Sequence, residues 1–360
     1  MRRCSAFRER CCVAEPERLA DLTTLRLGGP ARDLVHATTE QQLIEAVRGA
    51  DESAVPVLLI AGGSNLVVSD DGFDGTVVRI ETTGVQVEQD LCGGAMVSVA
   101  AGEPWDPFVA RAIGRGWVGV EALSGIPGSV GATPVQNVGA YGQEVAETVA
   151  SVRCWDREDG HVRTFAAAEC GFGYRTSRFK RDPHRFVVLT VTFQFRLGDL
   201  SAPVRYAELA RVLGVEPGGR VPMPEVRQAV LSLRAAKGMV LDAGDQDTWS
   251  AGSFFTNPVL DRDAAATLPR EAPRWPMADG TVKTSAAWLI EHAGFAKGYG
   301  NDRVALSGKH TLALTNRGRA TTADLLGLAA QVQQGVLERY GVRLVNEPVL
   351  VGCELPVPAR

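Results

Sequence analysis

Three stretches of this chain concentrate residues able to meet a ligand. The first is Ala61-Gly62-Gly63-Ser64-Asn65, set between two short apolar runs. Successive N–H groups in such a turn form a nest that suits a phosphate or diphosphate, although a plain tight turn has the same composition. The second covers 121–142, EALSGIPGSVGATPVQNVGAYG, with Gly125, Gly128, Gly131, Gly139 and Gly142 and with Pro127 and Pro134 between them. These residues suit neither a helix nor a regular strand. Most others are small or amide-bearing: Ser124, Ser129, Thr133, Gln136 and Asn137. Backbone can therefore approach a large ligand closely. The near absence of charge, with Ile126, Val130, Val135 and Val138 interleaved, favours such a wall over an exposed loop. The third stretch, 170–180, sets Arg175, Arg178 and Lys180 among glycines and aromatics. It supplies cations to an anionic ligand or is a basic surface turn.

The rest of the composition removes other chemistries. A formal charge of −4 and no block of like charge speak against nucleic-acid binding, so an anionic ligand must be met by locally placed cations. No apolar run spans a membrane, and the first twenty residues have no apolar core of a secretory signal. Apart from Cys11 and Cys12, the seven cysteines are scattered, with no C-x-x-C, which fits reduced thiols in a cytoplasm. The five histidines lack metal-ligand spacing, so no metal is expected.

The elements that must position these stretches follow from pattern. At 360 residues the prior is two or three domains. Residues 1–20 read as an extension, with order from Leu22. Thr39 with Gln42 is a capping box before a helix carrying Leu43, Ile44 and Val47. Apolar runs at 57–60, 66–68 and 76–80 read as strands, so the 61–65 turn joins strand to strand. Further strands are expected at 97–101, 150–155, 162–165 and 186–195. Helices are expected from Pro107 to Ile113, within 203–213, from Met223 to about Lys237, around 286–293 and near 321–340. A strand is expected around 311–314 and a β-like run at 347–351. The literal G-x-G-x-x-G at 114–119 follows a helix instead of a strand and is rejected as a dinucleotide fingerprint.

Five blocks in order now resemble the UDP-N-acetylenolpyruvoylglucosamine reductase family. They are AGGSN at 61–65, IPGSVGATPVQNVGAYG at 126–142, GFGYRTSRFK at 171–180, AGSFFTNP at 251–258 and NEP at 346–348. The resemblance implies an α+β chain. An FAD-binding domain of the vanillyl-alcohol-oxidase (PCMH) type covers 21–198, in subdomains of about 21–80 and 81–198. A tyrosine loop, linker helix and α+β substrate domain cover 199–345, and 346–360 returns to the FAD domain. It implies non-covalent FAD held by Gly62, Gly63, Ser64, Asn65, Leu66, Ser124, Ile126, Pro127, Gly131, Ala132, Thr133, Gln136, Val138 and Gly139. Substrate contacts fall on Tyr141, Tyr206, Lys237, Asn257 and His310. Lys283 joins them from local sequence as a cation for the substrate's anionic groups. Ala61 stands where many relatives have glycine.

The implied reaction is NADPH-dependent reduction of UDP-N-acetyl-enolpyruvoylglucosamine to UDP-N-acetylmuramate in peptidoglycan precursor synthesis. By resemblance the catalytic residues are Arg175, Ser253 and Glu347. The chemistry suits them. A developing enolate needs a planar cationic fork, which Arg175 offers. A positioned hydroxyl at Ser253 can protonate a basic carbanion, with Phe254 and Phe255 excluding water. Glu347 would orient Arg175 or hydrogen-bond the carboxylate end. Without the resemblance, Ser253 reads as a turn serine and Glu347 as half of a surface ion pair. Another FAD-dependent oxidase or dehydrogenase of the same fold is the alternative, and a non-catalytic nucleotide-sugar binder is a further one. The expected protein is a cytoplasmic monomer acting on small molecules.

Overall fold

The computed structural model describes residues 17–90 and 93–356. Most of the expected N-terminal extension, 1–16, and the last residues of the expected C-terminal segment, 357–360, lie outside the described residues. Order begins ahead of Leu22. Leu19 is fully buried with Ala31, Ile60, Val68, Val77 and Val351, and its N–H donates to the Gly29 carbonyl at 2.9 Å. A single buried leucine in a polar, charged segment carries no period, so the sequence pattern placed the boundary late.

The first subdomain is a parallel three-stranded sheet in which Phe73–Ile80 lies between Ala31–Ala37 and Val57–Ile60. The Glu40–Glu52 helix crosses it, started by the expected Thr39–Gln42 capping box. Leu43 and Val47 pack on Val78 and also on Val187 and Leu189 of the second subdomain, which joins the two.

The second subdomain is an antiparallel sheet ordered His161–Ala166, Val149–Asp156, Phe186–Leu197, Gly94–Ala100, Val85–Asp90. In its central strand, burial alternates from Val191 to Arg196, as a strand with one covered face requires. The cover is the Trp105–Gly114 helix, with Trp105, Phe108, Trp117, Phe193 and Phe195 in one aromatic cluster. Gly114 ends that helix and Trp117–Val118 follows as a short strand, so the G-x-G-x-x-G spans a helix end.

The helices Ala207–Leu213 and Met223–Ala236 form a small core of their own with Ala122 of the glycine-rich stretch. The C-terminal core gathers Phe254, Phe255, Leu289, Ile290, Leu325, Val332 and Val336 around the helices Ala286–His292 and Thr322–Tyr340. Two expectations shift here. The strand expected at 311–314 is Leu314–Asn316, in a hairpin with Val304–Leu306. A sheet of Val259–Leu260, Val282–Thr284 and Arg274–Pro276 was not foreseen. Strands of two or three residues are too short to show alternation. The chain then returns, and Val349–Val351 pairs in parallel with Leu66–Val68. Among the described residues no helix is long and apolar enough to cross a membrane.

Phe193 is fully buried between Trp105, Phe108 and Phe195. Phe193→Ala is expected to cost about 3–5 kcal/mol of stability, read by urea denaturation, whereas Val87→Ala, at an exposed position, should stay within about 0.5 kcal/mol.

Candidate active site

The 61–65 turn leaves strand Val57–Ile60 and enters Leu66–Val68, and its conformation is fixed from three sides. Thr24 N–H donates to the Gly63 carbonyl at 3.2 Å, Val349 N–H to the Asn65 carbonyl at 2.9 Å, and Ser64 Oγ to the Pro127 carbonyl at 3.0 Å. Glycine is required at two positions. A Cβ at Gly63, where φ is +55°, would lie 1.8 Å from the Leu22 oxygen, and one at Gly62 would lie 2.7 Å from Gly128 Cα. The turn and the glycine-rich stretch therefore interlock backbone to backbone.

That stretch is held from behind. Trp105 N–H donates to Gly128 O and its indole to Leu123 O, both at 3.0 Å, while Asp106 accepts from Gly125 N–H at 2.6 Å. Every expected FAD contact except Ser124 and Gly131 lines one cleft of about 370 Å³, together with Arg175, Ser253 and Glu347. Ser124 is buried behind the wall, donating to Glu121 O at 2.7 Å, and Gly131 packs against Ala101. Both shape the wall from its far side.

Arg175 stands in the left-handed region at φ +52°, as do Asn137 at +46° and Tyr141 at +48°. Non-glycine residues seldom adopt it, so strain is concentrated at this end of the cleft. Asn137 holds the geometry: its amide donates to Glu144 at 2.7 Å and to Gly173 O at 3.1 Å, binding the wall to the Arg175 loop. Arg175 Nη2 donates to Gly139 O at 3.0 Å. Its Nε lies 3.1 Å from Glu347 Oε1, close enough for an ion pair but without hydrogen-bond alignment. Burial pushes the Glu347 carboxyl above its ordinary range, and Arg175 and Lys180 pull it back. Burial likewise lowers the Lys180 ammonium, which the Glu347 charge counteracts. Glu347 N–H donates to Phe254 O at 2.8 Å, which brings the NEP segment beside Ser253. Ser253 Oγ is 3.5 Å from His310 Nε2, and burial first, then Lys237, lowers the imidazole to about 4.

An FAD binding domain model matches residues 31–166, and a model of the UDP-N-acetylenolpyruvoylglucosamine reductase C-terminal domain matches residues 244–351. The UDP-N-acetylenolpyruvoylglucosamine reductase of Cutibacterium acnes is 58% identical over 94% of this chain and 90% of its own length. This chain belongs to the UDP-N-acetylenolpyruvoylglucosamine reductase family. The Streptomyces avermitilis relative of that name is 56% identical, covering 94% of each chain. The crystal structure of the Thermus caldophilus reductase superposes with a TM-score of 0.64 at 26% identity, over 94% of this chain and 98% of that one. The protein is thus an oxidoreductase with an FAD-binding domain of the expected class, followed by the reductase family's own C-terminal domain.

None of the six residues expected at the substrate lines the cleft; His310 meets Ser253, and the others lie in groups beside it. Tyr141 and Tyr206 meet edge to face at 5.5 Å, and Lys237 Nζ lies 5.8 Å from the Tyr141 ring. Asn257 Oδ1 accepts from Ala286 N–H at 3.0 Å, and its side chain also hydrogen-bonds Tyr174, so Asn257 ties the first turn of a helix to the Arg175 loop. Lys283 Nζ sits 4.9 Å from the Tyr174 ring and 5.9 Å from that of Trp275. Arg178 stacks on Phe165 at 4.6 Å instead, away from the cleft.

Sequence reasoning missed Arg234, a lining residue whose guanidinium is buried, with Nη2 donating to Met239 O at 2.8 Å and Nε unpartnered. The signal was present: Arg234 continues the buried Val226–Val230 stripe of its helix, where a charge has no structural reason to lie.

Gly62→Val should yield folded protein that carries no flavin absorption, because the side chain would fill the space taken by Gly128. The depressed His310 value sets a second outcome. Between the ordinary 6.5 and about 4 the unfolded chain binds a proton that the folded one does not, so stability falls as pH falls through this window. His310→Gln should flatten the melting-temperature profile over that window relative to the parent.

Proposed function

We propose that the chain reduces UDP-N-acetyl-enolpyruvoylglucosamine to UDP-N-acetylmuramate with NADPH as hydride source. The observation that carries the reading is the meeting of Arg175, Ser253 and Glu347, from three distant segments, in one cleft walled by the two glycine-rich stretches. The residues fit FAD. A Cβ at Gly62 or Gly63 would collide with backbone, so these positions leave N–H groups bare for a diphosphate. Ile126, Pro127, Val135 and Val138 offer an apolar face to a large planar ring. Bound FAD would relay hydride from NADPH to the vinyl carbon remote from the substrate carboxylate.

The chain's own residues handle the charge and the proton. Hydride addition leaves negative charge spread over the second vinyl carbon and the carboxylate. Arg175 faces that charge. Its Nη2 is anchored on Gly139, while Nε has no aligned partner and can turn to a carboxylate oxygen. Glu347 keeps the guanidinium in place at 3.1 Å. Ser253 Oγ gives its proton to the carbanionic carbon, and neutral His310 at 3.5 Å orients the hydroxyl. Phe254 and Phe255, both fully buried, close the floor behind Ser253 to water. Lys237 and Tyr206 meet the substrate diphosphate.

Purified protein should show an oxidised-flavin spectrum. Ser253→Ala should keep its FAD and the rate of its reduction by NADPH, while reoxidation by the enolpyruvyl substrate slows by at least about a hundredfold. Stopped-flow absorbance measures both half-reactions, and parental reoxidation in the variant would remove Ser253 from the proton transfer.

A further inference from the structure

Three residues expected at the substrate share a neighbour to which no role has been given. Glu208 lies in the first turn of the Ala207–Leu213 helix, whose N-cap is Tyr206. Its Oε2 is 2.8 Å from Nζ of Lys237, which caps the C-terminal end of Met223–Ala236. Burial lowers the Lys237 ammonium, and its hydrogen bond to Glu208, together with the charges of Tyr141, Glu208 and Tyr206, brings it above its ordinary value. Tyr206 in turn leans on Tyr141, above which Lys237 stands. One carboxylate thus ties the tyrosine-bearing helix to the cation of the site.

We propose that Glu208 is a built-in counter-anion of the nucleotide site: its carboxylate occupies the position at Lys237 that a ligand phosphate must take. The proposal rests on the reading of Lys237 as a diphosphate contact. Docking of the helix does not need the ion pair. Leu209 and Ala210 pack into a core with Val226, Ala229 and Val230. The pair itself is partly open to water, with side chains 32% and 33% exposed. Such pairs are weak and exchange readily. A diphosphate brings more charge to Lys237 than one carboxylate does, and it displaces Glu208. While it remains nearby, the carboxylate repels the incoming anion. Glu208 therefore costs nucleotide affinity and keeps Lys237 satisfied when no ligand is bound.

The test uses FAD-loaded protein and UDP as the probe, by isothermal titration at two salt concentrations. Glu208→Gln and Glu208→Ala should each bind UDP about three- to fivefold more tightly, with steeper salt dependence than the parent. Lys237→Met should weaken UDP binding, and the gain from Glu208→Gln should be smaller in that background, because competition for Lys237 is gone and only the repulsion remains. Unchanged or weaker UDP binding in both Glu208 variants, with Lys237→Met still weakened, would overturn the proposal. UDP binding untouched by Lys237→Met would instead overturn the reading of Lys237 on which it rests.

Discussion

The pairing of Val349–Val351 with Leu66–Val68 is the contact on which the site depends. It joins segments more than 280 residues apart in the sequence. On one side it continues into the Asn65 carbonyl, accepting from Val349, which fixes the last residue of the 61–65 turn. On the other it determines where Glu347 lies, and Glu347 N–H holds Phe254 next to Ser253. Without this pairing the nest, the carboxylate and the hydroxyl would belong to separate pieces of the protein. Backbone hydrogen bonds suit the task because they are insensitive to side-chain identity and fix position to within a fraction of an ångström.

Charge is managed by burial in the same place. Arg175, Lys180, Arg234 and Glu347 all line the cleft. Only one of these four is an anion, so the cleft's own side chains carry a surplus of positive charge. Desolvation acts on them in opposite senses, raising the carboxyl and lowering Lys180 and Arg234. Groups held this way interact strongly with a charge that arrives late, because little water is left to screen it.

The framework was legible where periods are long or local chemistry is explicit. The Thr39–Gln42 capping box, the alternation through Phe193 and Phe195, and the glycine wall each carry their reason in their own residues. The short strands of 259–284 carry none, because two residues cannot alternate. Ser253 and Glu347 were legible only through resemblance, since a serine in a turn and a glutamate near a terminus look the same in any protein. Arg234 was readable in principle from its place on a buried stripe. The Glu208–Lys237 pair was not, as it depends on how two helices dock.

The return strand also has a consequence for biosynthesis. Translation delivers Gly62–Asn65 more than 280 residues before their backbone partner Val349. Until then Leu66–Val68 is an unpaired strand edge, and Val67 and Val68, fully buried in the finished protein, lack their cover. A ribosome-bound chain can complete both sheets of the first two subdomains, yet its 61–65 turn remains unlocked until Val349 arrives. A truncation that removes only Val349–Val351 would leave most of the fold and an unlocked 61–65 turn.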